Sequence, residues 1–435
     1  MPRRTAPTAH RRTLAALTVA AVGLLAAVTP AVGAATPAAA SSTAGLLYVT
    51  FSGEGGKGGV TDPITQVRSF GLDGTPASTA VLSAPGSITL DELRGMAFGP
   101  DGTLYVANAH KTDSMVLAFG PPAPDGTRAM LGTAPWSTPA SGKDGNAGLD
   151  HPYGLAWDAG RGGLLVTSQD TFVGTWLKTD GSPHATATWV TGESTKVPFF
   201  PGTFAPGDVS DAKLPDPVSS SKGGLKAPRG VAYDAGLDRI FVADNADGAV
   251  KAYDGSTGDF LGVLLDASQL VPAGGGKDTC APVGVIVAGT TVFVSCEGTD
   301  DVWSVPAASP PGKDGTTGGP IIEVIPRSIT SGGATVTLDH PSGLAVGADG
   351  ALYVNSRAGL AVNRYVLAGG VAAAASVAVP SCASALTLSP PACLTDQPEQ
   401  LLAVPADPAA VPPTTAGSTT TTTAPAAALT PAFTG

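Results

Sequence analysis

One pattern recurs five times along the chain: a glycine opens a short apolar run, a turn follows, and a second apolar run ends in valine. That valine lies 10 to 12 positions after the glycine in every copy. The connecting turns are rich in Gly and Asp, as tight β-hairpins require. The five copies are Gly95 to Val106, Gly154 to Val166, Gly230 to Val242, Gly284 to Val294 and Gly343 to Val354. A hairpin of constant length at variable spacing indicates a repeat protein.

A third apolar run follows in most copies, as in Val250 to Tyr253 and Val362 to Val366, so each unit is expected to form three or four antiparallel strands. Sheets of this kind arranged radially form a propeller. The widest spacing, from Gly154 to Gly230, is too short for two units, which favours six blades over seven. A β-sandwich would not explain five matched hairpins. The predicted fold class is all-β, a six-bladed β-propeller of four-stranded antiparallel blades.

The first blade is incomplete in the sequence. Leu46 to Val49 matches a second strand, but no glycine-opened partner precedes it. A propeller can close its ring when one terminus completes the blade of the other. Two later segments are candidates for the missing strand, Ala385 to Leu388 and Gln400 to Val404.

The N-terminus is typical of a secretion signal. Four arginines precede Leu14 to Val28, which carries no charge, and the small residues Ala31 to Ala34 follow. The uncharged run is shorter than the ~20 residues of a membrane-spanning helix. We interpret residues 1–34 as a signal peptide, 35–45 as a linker, 46–404 as the propeller and 405–435 as an Ala/Pro/Thr-rich disordered tail. The mature chain, expected to be a monomer without a transmembrane segment, would be secreted or at the cell surface.

Four cysteines form two locally spaced pairs without a C-x-x-C motif, which suits disulfides in an oxidising compartment. The expected bridges join Cys280 to Cys296 and Cys382 to Cys393, with free buried thiols as the alternative. The net charge of −11 becomes more negative once the signal peptide with its arginines is removed, so nucleic acid is not an expected partner.

The units resemble NHL-type repeats and the wider gluconolactonase-like six-bladed propellers. The nearest copy pairs Pro228 to Ala232 with Ile240 to Asn245. The resemblance covers about residues 46 to 380. The resemblance implies the fold but no single activity, because such propellers include hydrolases, lyases and binding modules.

The resemblance also implies where metal ligands would lie. In the gluconolactonase-like branch, Asn or Asp just before the strand-opening glycine binds a divalent ion, together with a Glu near the first blade. Glu54 could take the latter place, but the pre-glycine positions hold Arg94, Tyr153, Arg229, Val283 and Ser342. In the amidating-lyase branch, His residues near the strand starts bind zinc. Only His151 and His340 fall there, each before a proline, so no metal site is predicted.

Long insertions and the loops after each second strand are predicted to gather at one rim of the propeller. These loops are acidic, which suggests a ring of carboxylates, although Asp also serves ordinary turns. The acids are Glu54, Asp113, Asp170, Asp244, Asp247, Glu297, Asp300 and Asp301. The predicted ligand-binding rim comprises Glu54, Asp170, Asp244, Asp247, Glu297, Arg94, Tyr153 and Arg229.

No catalytic motif is complete, which favours a non-enzymatic role. The sequence therefore predicts an exported binding or scaffold propeller that presents an acidic, loop-rich rim to a small molecule, glycan or protein. The alternative is a metal-dependent hydrolase or lyase of the gluconolactonase-like superfamily. No cofactor is predicted, and a divalent cation such as calcium is compatible with the rim.

Overall fold

Each of the five glycine-opened strands lies innermost in its own sheet, and these five sheets form a ring with a sixth in the computed structural model. The structure describes residues 45–53, 63–110, 114–137, 149, 151–170, 172–182, 223–270, 279–312, 319–384 and 387–404. The signal peptide predicted at 1–34 and the tail at 405–435 lie outside these ranges.

The hydrophobic and β-branched runs of the sequence form short strands. In chain order they are β1 Leu46–Phe51, β2 Arg68–Gly71, β3 Pro76–Ser78, β4 Leu82–Ser83, β5 Leu93–Phe98, β6 Leu104–Asn108, β7 Met115–Pro122, β8 Arg128–Met130, β9 Pro152–Asp158, β10 Gly163–Ser168, β11 Val173–Lys178, β12 Pro228–Asp234, β13 Arg239–Asp244, β14 Ala249–Asp254, β15 Phe260–Asp266, β16 Pro282–Ala288, β17 Thr291–Cys296, β18 Asp301–Pro306, β19 Ile322–Ile325, β20 Ser328–Ser331, β21 Ala334–Thr337, β22 Pro341–Val346, β23 Leu352–Ser356, β24 Ala361–Ala368, β25 Val371–Val379 and β26 Pro398–Val404.

Six sheets correspond to the six predicted blades, which confirms the all-β propeller. Four of them have four antiparallel strands, ordered β26-β1-β2-β3, β12-β13-β14-β15, β16-β17-β18-β19 and β22-β23-β24-β25. The second blade, β5-β6-β7-β8, gains β4 as a fifth strand that runs parallel to β8. The third blade shows β9, β10 and β11 within the described ranges, and β20 with β21 forms a separate hairpin.

The ring closes through the C-terminal strand. β26 pairs antiparallel with β1, placing Leu47 opposite Ala403 and Val49 opposite Leu401. Of the two candidates for the missing strand, Gln400 to Val404 is therefore the correct one. The innermost strands contact one another in the cyclic order β26, β5, β9, β12, β16, β22 and back to β26.

The strand-opening glycines are required by the close approach of neighbouring inner strands. A Cβ on Gly154 would lie closer than 3.0 Å to the backbone of Arg229 and Val231 in the next blade. The Thr167 hydroxyl bridges the same seam, since it accepts a hydrogen bond from the Gly154 amide and donates one to the Arg229 carbonyl. The tight packing of the inner strands around the channel therefore explains why glycine repeats at this position.

The hydrophobic core lies between blades. Trp157 of β9 is buried and stacks on Tyr105 of the preceding blade, with ring centroids 5.7 Å apart and planes inclined by 13°. Their cluster joins side chains from both blades, including Val116 and Leu164. Trp157 therefore packs between blades.

Both expected disulfides are present, Cys280–Cys296 and Cys382–Cys393. Pro282 faces Cys296 across the hairpin of the fifth blade, which brings Cys280, two residues earlier, to a Cα–Cα distance of 4.8 Å from Cys296. The second bridge closes the segment just before β26.

Helix is scarce in the part of the chain that the structure describes. The helical element there is the short 3₁₀ turn Ala267–Gln269, which begins with a capping box formed by Asp266 and Gln269. Within those residues, no helix has the length and apolar character needed to cross a membrane.

Candidate functional site

Six residues surround the loop-rich end of the central channel, each the second residue of an inner strand and directly before the repeated glycine or, in β26, before Gln400. They are Arg94, Tyr153, Arg229, Val283, Ser342 and Glu399. We call these six residues the mouth ring. Five of them were identifiable from the glycine repeat. Glu399 was missed, because Gln400 stands in the closing strand where the other five have glycine.

Glu399 is the centre of a buried network of two ion pairs and a hydrogen bond. Its side chain is 1% exposed, and its Oε1 lies 3.0 Å from Arg94 Nη1 and 2.7 Å from Arg357 Nε. The Tyr153 hydroxyl donates to the other carboxylate oxygen at 2.8 Å. Two cations and one hydroxyl therefore hold a single carboxylate at the channel mouth.

A second carboxylate, Glu297, lies beside the first. Arg229 Nη1 donates to both of its oxygens at 3.0 Å, and the Asn245 amide donates to Oε1 at 2.9 Å. Arg357 Nη1 approaches Glu297 Oε2 at 3.8 Å. Since Arg357 also contacts Glu399, its guanidinium bridges the two glutamates.

Tyr153 lies between two guanidinium groups as well as against Glu399. The Arg94 and Arg229 guanidinium carbons are 5.7 and 5.5 Å from its ring centroid, within the range of cation–π contacts. Burial, together with the nearby Glu399 carboxylate, raises the pKa of the Tyr153 hydroxyl, which stays protonated and donates its hydrogen bond. Burial alone would also raise the pKa of Glu399, but Arg94 and Arg357 outweigh it and lower that pKa.

The network continues outward from Arg94. Glu92 Oε2 lies 3.6 Å from Arg94 Nη2 and 4.0 Å from His151 Nε2, and Asp170 Oδ2 lies 3.9 Å from His151 Nδ1. His151 adopts a positive φ of 55°, which turns the chain into β9. Asp170 of the predicted rim is therefore linked to Arg94 of the mouth ring through His151 and Glu92.

The central part of this network is a mixed-charge cluster, which we define as Arg94, Tyr153, Arg229, Arg357, Glu92, Glu297 and Glu399. Its three guanidinium groups match its three carboxylates in number. Arg229 and Glu297 side chains are each 17% exposed and Arg357 is 24% exposed, whereas Arg94 and Glu399 are almost fully buried. The rim here presents donors and acceptors side by side instead of a ring of unpaired acids.

Asp244 and Asp247, two acids of the predicted ligand-binding rim, both form ion pairs with a buried lysine. Lys251 lies on β14, the strand that follows these two acids. Its fully buried ammonium lies 2.7 Å from Asp244 Oδ2 and 2.5 Å from Asp247 Oδ2. Asp244 also accepts backbone N–H bonds from Lys226 and Ala227. Burial opposes ionisation of Asp247, but Lys226 and Lys251 hold its pKa below the ordinary value. These two acids anchor their own blade.

The remaining acids of the predicted rim lie in separate places. Asp300, Asp339 and His340 have donor atoms within 4.8 Å of one another, and Asp300 also lies 3.4 Å from Arg327 Nη2. Glu54 and Asp113 lie outside the described residues. His151 and His340 belong to different clusters, so the two histidines considered for zinc are not brought together.

Arg357 and Glu92 also escaped the sequence reasoning. Arg357 directly follows β23 and Glu92 directly precedes β5, so both stand at the rim ends of strands. Their places at the rim ends of strands could be found from the repeat, but neither residue is an acid that follows a second strand.

No family model matches the chain, and no curated protein matches it. Solved structures similar to it include a chain of a nidogen/laminin complex, 12% identical, covering 82% of this chain and 97% of that one with a TM-score of 0.46. A candidate 6-phosphogluconolactonase from Bacteroides fragilis is 14% identical, with coverages of 84% and 99% and a TM-score of 0.46. A gluconolactonase from Xanthomonas campestris is 15% identical, with coverages of 66% and 75% and a TM-score of 0.40.

Proposed function

We propose that the protein is an exported binding propeller whose loop-rich rim takes a small, neutral, hydroxyl-rich ligand of the glycan class. The observation that carries this proposal is the mixed-charge cluster at the channel mouth. Its partly exposed members, Arg229, Glu297 and Arg357, offer guanidinium donors next to carboxylate acceptors.

The chemistry of the cluster suits vicinal hydroxyl groups. A hydroxyl can donate to Glu297 and accept from Arg229 or Arg357 at the same time. Hydrogen bonds to charged partners are stronger than those between neutral groups. Because the guanidinium and carboxylate charges cancel within the cluster, a neutral ligand leaves no charge unpaired on binding.

Calorimetric titration with glucose, galactose and mannose, with gluconate and glucosamine as charged comparators, tests this proposal. We expect a neutral sugar to bind most tightly, and Glu297→Gln to weaken that binding by at least about tenfold, since it removes a charged acceptor. The control is Asp259→Asn, an exposed acid in the turn between β14 and β15. Unchanged binding by Glu297→Gln, or tighter binding of a charged comparator, would contradict the proposal.

A metal-dependent hydrolase is the second candidate. The observation in its favour is the group Asp300, Asp339 and His340, whose donor atoms lie within 4.8 Å of one another. Carboxylate and imidazole ligands together suit several divalent ions. Metal analysis after dialysis distinguishes the candidates: a stoichiometric divalent ion that Asp300→Asn removes would favour the hydrolase, and its absence would favour the binding module.

A further inference from the structure

Among the described residues, Lys251 is the lysine that the fold buries completely. Lysine is seldom fully buried unless it is paired, because removing an ammonium from water is costly. The Lys251 Nζ lies 2.7 Å from Asp244 Oδ2 and 2.5 Å from Asp247 Oδ2, and it also donates to the Gly224 carbonyl oxygen. A buried amine therefore contacts two carboxyl groups directly.

The register of the fourth blade brings the amine and one of these carboxyl groups together. β13 and β14 pair antiparallel, with Val242 opposite Lys251 and Asp244 opposite Ala249. Side chains two positions apart on a strand share a face, so Asp244 and Lys251 are diagonal neighbours on one face of the hairpin. Two reactants held in contact by a rigid scaffold react far faster than the same groups free in solution.

Backbone amides polarise the Asp244 carboxyl group. The Ala227 N–H donates to its Oδ1 at 2.9 Å, and the Lys226 N–H donates to its Oδ2 at 3.0 Å. Backbone donors placed in this way stabilise the negative oxygen that develops when a nucleophile attacks a carbonyl carbon. Asp244 is therefore the carboxyl group prepared for attack by the amine.

Asp247 has the position of a proton carrier. Its Oδ2 contacts Lys251, and its Oδ1 forms an ion pair with the Lys226 ammonium, which is 39% exposed. Because Lys226 supplies a second cation, the Asp247 carboxylate remains paired after Lys251 has given up its charge. A nucleophile, an acyl group and a proton carrier thus lie in direct contact.

We propose that Lys251 and Asp244 condense to form an intramolecular isopeptide bond. A bond forms between Lys251 Nζ and Asp244 Cγ, and the bond between Cγ and Oδ2 breaks. Two protons of the ammonium pass through the Asp247 carboxylate to the departing oxygen, which leaves as water. The third hydrogen stays on the new amide nitrogen and continues to bond to the Gly224 carbonyl oxygen. The reaction consumes no other reactant.

Burial favours the covalent product. Proton transfer from the ammonium to a carboxylate converts two buried charges into neutral groups, which an interior without water stabilises. The isopeptide bond then replaces a fully buried ion pair by a neutral amide. The proposal stands apart from sugar binding, because none of the participating residues belongs to the mixed-charge cluster.

Mass spectrometry of tryptic peptides from the purified, denatured and reduced protein tests the proposal. Without the bond, trypsin cleaves after Lys251 and releases peptides 240–251 and 252–277. With the bond, we expect a single peptide 240–277 that is lighter than its sequence by one water, because trypsin does not cleave after an acylated lysine. Peptide 240–251 at its full mass as the main product would overturn the proposal.

Two further readouts separate the isopeptide bond from other products. A succinimide at Asp247 and Gly248 also removes one water, but it leaves Lys251 open to trypsin, so a dehydrated peptide 240–251 would overturn the proposal. Tandem fragmentation should give no backbone fragments between Asp244 and Lys251, because the bond closes that segment into a ring. Fragments that separate Asp244 from Asp247 would overturn the choice of Asp244.

Three variants test the roles of the residues. Lys251→Met should give peptide 240–277 without the loss of water. Asp247→Asn keeps both reacting groups and should lower the linked fraction at least about tenfold, since it removes the proton carrier. Asp259→Asn, an exposed acid in the same peptide, is the control and should be linked like the wild type. Thermal melts establish that each variant is folded. Loss of water in Lys251→Met, or full linkage in folded Asp247→Asn, would overturn the proposed reaction.

Discussion

Tyr153 and Glu399, 246 positions apart in the chain, meet through a buried hydrogen bond of 2.8 Å. Tyr153 belongs to the third blade, and Glu399 belongs to the strand that closes the ring. Their contact exists only when β26 pairs with β1, so closure of the propeller and assembly of the channel mouth are the same event. Propeller stability and site geometry should therefore change together when Glu399 is altered.

Glu399→Gln should lower the free energy of unfolding by about 3–5 kcal/mol at pH 7, because Arg94 and Arg357 lose a buried counter-charge. The pKa of Glu399 is lowered in the folded state, so its ionised form stabilises the fold above its ordinary pKa of 4.5. That contribution disappears as the pH falls through the lower folded-state value. Urea titrations from pH 7 to pH 3 should show the wild type and the variant converging in acid. A constant difference would contradict this account of the network.

Gly154→Ala should destabilise the protein by about 1–3 kcal/mol or more, since the added methyl would meet the backbone of the next blade. Gly86→Ala is the matched control, because a Cβ there meets nothing within 4 Å. Thermal denaturation of both variants tests the point. Equal melting temperatures for the two variants would contradict the conclusion that the inner strands pack tightly around the channel.

Asp244→Asn should cost about 3–5 kcal/mol, because it leaves the buried Lys251 ammonium without one of its two carboxylate partners. The exposed Asp259→Asn should change stability by less than about 0.5 kcal/mol. Chemical denaturation measures both. If the two variants were equally stable, Asp244 would be an ordinary turn acid after all.

For Asp301 we expect the opposite dependence of protein stability on pH. Burial, aided by the nearby acids Glu323 and Asp300, raises its pKa to about 6, although Thr299 donates a hydrogen bond to the carboxyl group. A carboxyl group with a raised folded-state pKa favours the fold when protonated, so its contribution is lost as the pH rises from its ordinary 3.8 through 6. Asp301→Asn should therefore stabilise the protein by about 1–3 kcal/mol at pH 7.

Denaturation of Asp301→Asn at pH 7 and pH 4 checks this prediction. The gain should be present at pH 7 and nearly absent at pH 4, where the wild-type carboxyl is already neutral. A variant less stable than the wild type at pH 7 would mean that ionised Asp301 is well solvated in the native protein.

The spacing of the glycines predicted the blades because the close approach of neighbouring inner strands requires glycine in five of the six inner strands. The glycine repeat did not reveal Glu399, because the seam beside β26 accommodates the side chain of Gln400 where the other inner strands have glycine. Local spacing also predicted both disulfides, because each joins residues near in sequence. Burial of Asp244 was not predictable from its turn-like neighbours, as it depends on Lys251 folding back from the next strand.

The most direct test of the central claim is a crystal structure of the protein soaked with the neutral monosaccharide that binds most tightly. The account predicts sugar density at the channel mouth, with hydroxyls within hydrogen-bond distance of Arg229, Glu297 and Arg357. Density for the sugar elsewhere on the propeller, with an empty mixed-charge cluster, would contradict it.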